Sequence, residues 1–288
     1  MHNILESTFT ENKLGIHLKS VDDYFWLVLF GDTHADTPHH DKERFDYFLQ
    51  KCRDLPNQDN VYYFGLGDYN DFMSTSEKKN IEATTHESTI HKFDEIAERS
   101  NRQFAQRCKQ MIGRTLGLIE GNHSWVFSDG KTSGEDLAER LKTTCVGGMA
   151  HLQLIVNFRN RQTRVAVNLA AHHGKGGGKR AGSTINNVED LYHIFPMTDI
   201  CAMGHDHQRG VVPRISFYAN DLGKIKQRRT MLVRTGCFLK SYTPNEASYA
   251  VKRMYQPTDM GGIILKVGFH RNRKNGDDYI ITDIEATL

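Results

Sequence analysis

The chain has little of what builds linkers, disulfides or membrane spans. It contains six prolines, and no Ser/Gly-rich stretch exceeds a loop, so no segment reads as a tether between domains. A helical bilayer span needs ~20 apolar residues; the longest apolar runs here, such as Trp26 to Phe30, are only strand length. The opening residues MHNILESTFTENK lack the basic start and apolar core of a secretory leader. The expectation is therefore a cytoplasmic protein with no membrane partner. Five cysteines (Cys52, Cys108, Cys145, Cys201 and Cys237) are scattered, odd in number and without a CxxC pair. That excludes a disulfide framework and a thiolate zinc site, and leaves reduced, mostly buried thiols.

What is present is ordinary globular material with an uneven charge. Hydrophobic residues make up 38% of 288 positions, enough for a large core in one domain spanning 1–288. The net charge is only +2, yet residues 151–240 carry 14 Lys and Arg against 5 Asp and Glu, and the rest carry 23 against 30. Such asymmetry suits one face to a polyanion, with a solvated basic surface as the alternative.

The hydrophobic pattern alternates short strands with helices. Phe25–Phe30, Asn60–Leu66, Thr115–Ile119 and Asp199–Met203 read as buried strands. Residues 41–54 read as a helix because Phe45, Phe48, Leu49 and Cys52 fall at i, i+3, i+4 and i+7. Further helices are expected over 87–111, 134–143 and 184–195, the last with Ser183 as N-cap. Leu152–Phe158 and Arg164–Ala171 read as a hairpin. Beyond residue 208 the pattern is mostly β and is expected to supply much of a second sheet.

One regularity carries the functional reading. Four buried runs lead into Gly or Asn followed by Asp or His (Gly31-Asp32-Thr33-His34, Gly67-Asp68-Tyr69-Asn70-Asp71, Gly121-Asn122-His123 and Gly204-His205-Asp206-His207), and a fifth runs into His172-His173-Gly174, with the histidines before the glycine. Ligands of open α/β sheets collect outside the carboxyl ends of strands, so five strand ends can deliver these groups to one place. Carboxylate, imidazole and amide oxygen suit borderline divalent metals. Seven donors exceed one tetrahedral ion and suit two. Asp32 with His34, and His205 with His207, are expected to point to one side at an extended strand end.

In order and spacing these five blocks resemble the calcineurin-like metallophosphoesterase superfamily, over residues 31–207. The segment 233–262, with Gly236-Cys237-Phe238, Tyr242, Tyr249, Pro257 and Gly261, is similar to phage-encoded members, which would place the protein in a host cytoplasm. The resemblance implies a four-layer α/β/β/α sandwich of two mixed sheets flanked by helices, with the motif-bearing core over about 25–240. It implies one ion held by Asp32, His34, Asp68 and His207 and a second by Asp68, Asn122, His173 and His205. Mn²⁺ is the expected metal, with Fe, Zn, Co or Ni as alternatives. It further implies that water activated between two cations attacks phosphorus while His123 protonates the leaving group. His173 is preferred to His172 because the family's ligand precedes the glycine, and neighbouring strand residues face opposite ways. His172 is left to pack, to orient a ligand, or to bind substrate.

Where many members carry an acidic residue after GNH, this chain has Ser124. Asp71 is a candidate to buttress Asp68 or His123, and is not read as a ligand. The glycine-rich loop after His173 carries Lys175, Lys179 and Arg180, candidates for cradling phosphate; it is not a Walker A motif. The basic stretch 221–229 reads as a loop or hairpin tip, and Phe217, Tyr218, Phe238 and Tyr242 mostly as core. His39 and His40 read as loop residues. The favoured function is a phosphodiesterase or nuclease on DNA, RNA or nucleotides. The alternatives are a phosphomonoesterase and a non-catalytic binding module with a vestigial site.

Overall fold

The computed structural model describes residues 12–72, 87–160, 162–176, 181–219, 223–242, 257, 259–274 and 277–287. The strands are β1 (Asn12–Leu18), β2 (Tyr24–Phe30), β3 (Val61–Gly65), β4 (Thr115–Leu118), β5 (Met149–Phe158), β6 (Arg164–His172), β7 (Ile200–Met203), β8 (Arg209–Ala219), β9 (Ile225–Thr235), β10 (Ile263–Lys274) and β11 (Asp277–Thr287). The helices are α1 (Lys42–Arg53), α2 (Glu87–Arg107), α3 (Ser133–Arg140) and α4 (Ala181–Ile194). None is long and apolar enough to cross a membrane.

Two mixed sheets result, in the orders β1-β5-β6-β7-β9-β8 and β11-β10-β2-β3-β4. Period-2 burial explains why they face each other. On β2, Phe25, Leu27 and Leu29 join Leu152, Leu154, Val156, Val167 and Leu169 of the opposite sheet in one apolar layer. The alternate residues, Val28 and Phe30, turn outward and meet Phe45, Phe48 and Leu49 of α1, Phe104 of α2 and Leu137 of α3. On the far side Ala170, Cys201, Met203 and Leu232 pack under Val188, Leu191 and Tyr192 of α4. The architecture is therefore the four-layer α/β/β/α sandwich.

Local chemistry fixes the helix starts. The Asp41 side chain accepts from the Arg44 amide at the head of α1, and Thr132 and Glu135 form a capping box on α3. Some expectations need correction. Helix α4 begins at Ala181, so Ser183 lies inside it and is not its cap. Strand β1 was not anticipated; it pairs parallel with β5 and buries Ile16 and Leu18. The stretch beyond residue 208 divides: β8 and β9 extend the sheet of β5–β7, while β10 and β11 extend the sheet of β2–β4.

The register positions the site. β2, β3 and β4 run parallel, pairing Phe30 with Gly65 and Gly65 with Leu118. β6, β7 and β9 also run parallel, pairing His172 with Met203 and Met203 with Arg234. The loops that leave these strand ends therefore open at one edge of the sandwich.

Candidate metal centre

Backbone bonds stitch those loops together. The Asp32 and His34 amides donate to the Gly67 and Asp68 carbonyls (2.9 and 3.0 Å), and the Gly204 amide donates to the His173 carbonyl (2.8 Å). The His205 amide donates to Asp32 Oδ2 (2.8 Å), and the His123 amide to Asp68 Oδ1 (3.0 Å). Gly121 is required by contact: a Cβ there would lie 1.9 Å from Asp68 Oδ1. Gly67 combines a φ of +99° with a Cβ position 2.6 Å from His173 Nδ1.

The seven expected ligands converge. Donor atoms of Asp32, His34 and His207 lie within 4.8 Å of one another, and so do those of Asp68, His173 and His205. Asp68 Oδ2 stands between the two groups, 3.2 Å from His173 Nε2 and 3.9 Å from His34 Nε2. Asn122 Oδ1 is 2.9 Å from His173 Nε2. His173 Nδ1 meets the Leu66 carbonyl (2.7 Å), which fixes the ring with Nε2 toward the centre. His205 Nδ1 faces His173 Nε2 at 3.2 Å.

The route to convergence differs from the expected extended strand ends. Asp32, His34, Asp68, His205 and His207 all adopt positive φ, between 41° and 71°. Left-handed backbone at non-glycine residues costs about 1–3 kcal/mol each and clusters at functional sites. The side chains meet because consecutive tight turns aim them inward, not because residues i and i+2 share a strand face.

The donor set fits a cation. Asp32 Oδ1 and both ring nitrogens of His34 are buried without a hydrogen-bond partner. Buried polar atoms are ordinarily satisfied, and these converge on a neighbouring carboxylate and imidazole: His207 Nε2 lies 3.5 Å from Asp32 Oδ1. Burial alone would depress the His173 imidazole, but Asp68 beside it more than offsets this and raises it to about 9. Asp68 is held well below the usual carboxylate range by His173, His34 and His123, against the opposing effect of burial. A divalent ion, which binds the neutral imidazole, would replace the histidine proton as the partner of Asp68.

His123 lies beside the ligands with its Nδ1 against Asp71 Oδ1. Asp71 thus takes the orienting place that Ser124 cannot fill. Its other oxygen is 3.7 Å from His34 Nδ1, and His34, Asp71 and His123 form a third tight group of donors. Burial would lower the His123 pKa, but the bond to Asp71 and the charge of Asp68 raise it.

Other expected residues stand apart. His172 turns away from the centre, its Nδ1 accepting from the Gly174 amide (2.8 Å). Lys175 is exposed and pairs with Asp190 (3.1 Å); Lys179 and Arg180 lie outside the described residues. Of the aromatics, Phe238 is buried but Phe217 is 73% exposed on the β8–β9 hairpin. His40 is no simple loop residue. It is buried, with Nδ1 on the Thr33 carbonyl (2.8 Å) and Nε2 on Arg107 (2.9 Å), bracing the turn that carries Asp32 and His34.

Three neighbours were missed from sequence. Tyr69 is buried, receives the Gly67 amide (3.1 Å) and donates to the Ile119 carbonyl (3.0 Å). Cys237 is buried beside the site, its Sγ donating weakly to the Leu239 carbonyl (3.8 Å). Arg234 is 1% exposed and pairs with Asp206. A charge directly after the apolar run Met231–Val233, still within a buried strand, was the available signal for Arg234, since arginine is rarely fully buried unless paired.

No protein-family model matches the chain, and no curated protein sequence matches it. Among solved structures it superposes on Vacuolar Protein Sorting 29 from Cryptosporidium parvum, with a TM-score of 0.35, 12% identity, and coverage of 92% of this chain and 99% of that one. Vps29 from Chaetomium thermophilum gives 0.31, 9%, 91% and 97%. Similarity at this level says nothing about activity; the architecture rests on the strand order and packing described above.

Proposed function

We propose that the chain is a metal-dependent phosphoric ester hydrolase of the calcineurin-like kind. The observation that carries the reading is the convergence of Asp32, His34 and His207, and of Asp68, His173 and His205, on two adjoining points with Asp68 between them. Asp32, His34, Asp68 and His207 would hold one ion and Asp68, Asn122, His173 and His205 the other, with Mn²⁺ as the first metal to test. Two such ions supply Lewis-acid charge to a phosphoryl group and make water a nucleophile near neutral pH. The protein's own part is positional and protic. Asp71 fixes the His123 ring through Nδ1, so that Nε2 is the nitrogen left to protonate a departing alkoxide. The tight turns at positive φ hold the donors in place before substrate arrives.

A phosphodiester in nucleic acid or a nucleotide is the substrate favoured by the basic middle region. A phosphomonoester is the second reading, and one observation favours it. Among the described residues, three cations of 151–240 pair with acids outside that stretch, which the charge count did not subtract: Arg209 with Asp259, Arg229 with Asp283 and Lys240 with Asp41. The surplus offered to a polyanion is smaller than the sequence count.

The test is a panel of bis-p-nitrophenyl phosphate and labelled DNA against p-nitrophenyl phosphate, each with Mn²⁺. Turnover of the first two supports the diester, and turnover of the last alone supports the monoester. If metal-replete protein hydrolyses none of them while Asp68→Asn keeps a binding partner, the catalytic reading fails and the binding module stands.

A further inference from the structure

Arg234 and Asp206 form an ion pair in which both side chains are 2% exposed. Arg234 lies on β9, paired in the sheet with Met203, the last residue of β7. Its Nη1 also reaches Met203 Sδ (3.8 Å), while its Nε has no hydrogen-bond partner. Asp206 sits between two histidines that serve different groups: His205 belongs with Asp68 and His173, and His207 with Asp32 and His34. Both flanking histidines are at positive φ, 71° and 59°. Asp206 Oδ1 additionally accepts from the Gln208 amide (3.2 Å), closing the loop on itself.

A buried ion pair is a poor way to gain stability, because desolvation offsets the attraction and an apolar pair often does as well. Its place within and against a loop that feeds both donor groups points to a different use. We propose that Arg234 and Asp206 are positioning residues that lock the 204–207 turn so that His205 and His207 reach two neighbouring ions in one register. The proposal rests on the metal-centre reading above. It separates from a single-ligand effect by its consequence: loss of the pair weakens both ions together, whereas loss of His207 weakens chiefly one.

The experiment titrates metal-stripped protein with Mn²⁺ by calorimetry and records thermal melting alongside. The variants are Arg234→Met/Asp206→Asn, Arg234→Lys and His207→Ala. The double variant removes both charges, so neither is stranded, and its amide oxygen still accepts from Gln208. It is expected to melt within about 4 °C of the wild type, yet to bind both ions some 10–100-fold more weakly, the scale of losing an outer-shell partner. Arg234→Lys is expected to fall between. Wild-type affinities at both sites in the double variant would overturn the proposal and leave the pair a packing feature. Should that variant not fold, Arg234→Lys carries the test: weaker binding at both sites with unchanged melting supports the proposal, and unchanged binding overturns it. A wild type that binds no Mn²⁺ overturns the metal-centre reading and this inference with it.

Discussion

Replacing His123 by alanine tests the division of labour between metal ligands and proton donor. The His123 side chain is 26% exposed and its Nδ1 is occupied by Asp71. It stands outside the two donor groups built on Asp32 and Asp68, so the ions should stay. What is lost is a positioned acid, worth about 10²–10⁴-fold in rate, or about 3–5 kcal/mol of barrier. The structure also predicts which substrates feel it. An alkyl phosphate expels an alkoxide that needs the proton, whereas a nitrophenyl ester expels a stable anion that does not. Steady-state kinetics of His123→Ala on both, with metal content measured on the same samples, should show a large loss on the alkyl ester and a small one on the nitrophenyl ester. Equal losses on both would refute the role of acid. Loss of metal would show instead that the His34, Asp71 and His123 group holds an ion.

Other predictions follow from packing and burial. Gly121→Ala places a methyl 1.9 Å from Asp68 Oδ1 and 2.4 Å from the Asp68 amide nitrogen, so bound metal and melting temperature should both drop sharply; a wild-type melting curve would contradict the close approach. Gly182→Ala, at an exposed position in the first turn of α4 with no neighbouring group within 4 Å of the new Cβ, should stabilise the protein by about 0.5–1 kcal/mol in urea unfolding. His40 has its pKa lowered from 6.5 by burial and by nearby Arg107 and Lys42, against the Thr33 carbonyl and Asp41. The unfolded chain therefore takes up this proton first, and the stability His40 contributes is present above pH 6.5 and is lost as pH falls below it. Urea unfolding of metal-free protein from pH 8 to 5.5 should show a shallower decline in His40→Gln than in the wild type; identical slopes would remove His40 from the account.

The sequence made some features legible and hid others for physical reasons. Helix α1 could be read because Phe45, Phe48, Leu49 and Cys52 form an uninterrupted apolar stripe. The cluster of Asp and His side chains could be read because these residues begin where buried runs stop, as at Phe30 and Met203. Strand β1 was hidden by its short, half-polar pattern around Gly15, since only its pairing with β5 completes it. The positive φ of Asp32 and His205 could not be inferred, because these residue types give no glycine-like signal and the turns are held by bonds to distant loops. The charge count of 151–240 misled because Asp259 and Asp283, partners of Arg209 and Arg229, lie far along the chain. Arg234 gains its meaning only from its pairing with Asp206, a member of the 204–207 turn that is distant in sequence.

The central claim is that loop tips from five strands hold two cations around Asp68. Elemental analysis after loading with Mn²⁺ and exhaustive dialysis tests it directly. The account predicts close to two ions per wild-type chain and the loss of both in Asp68→Asn. A wild type that retains no metal, or an Asp68→Asn variant that retains as much as the wild type, would contradict it.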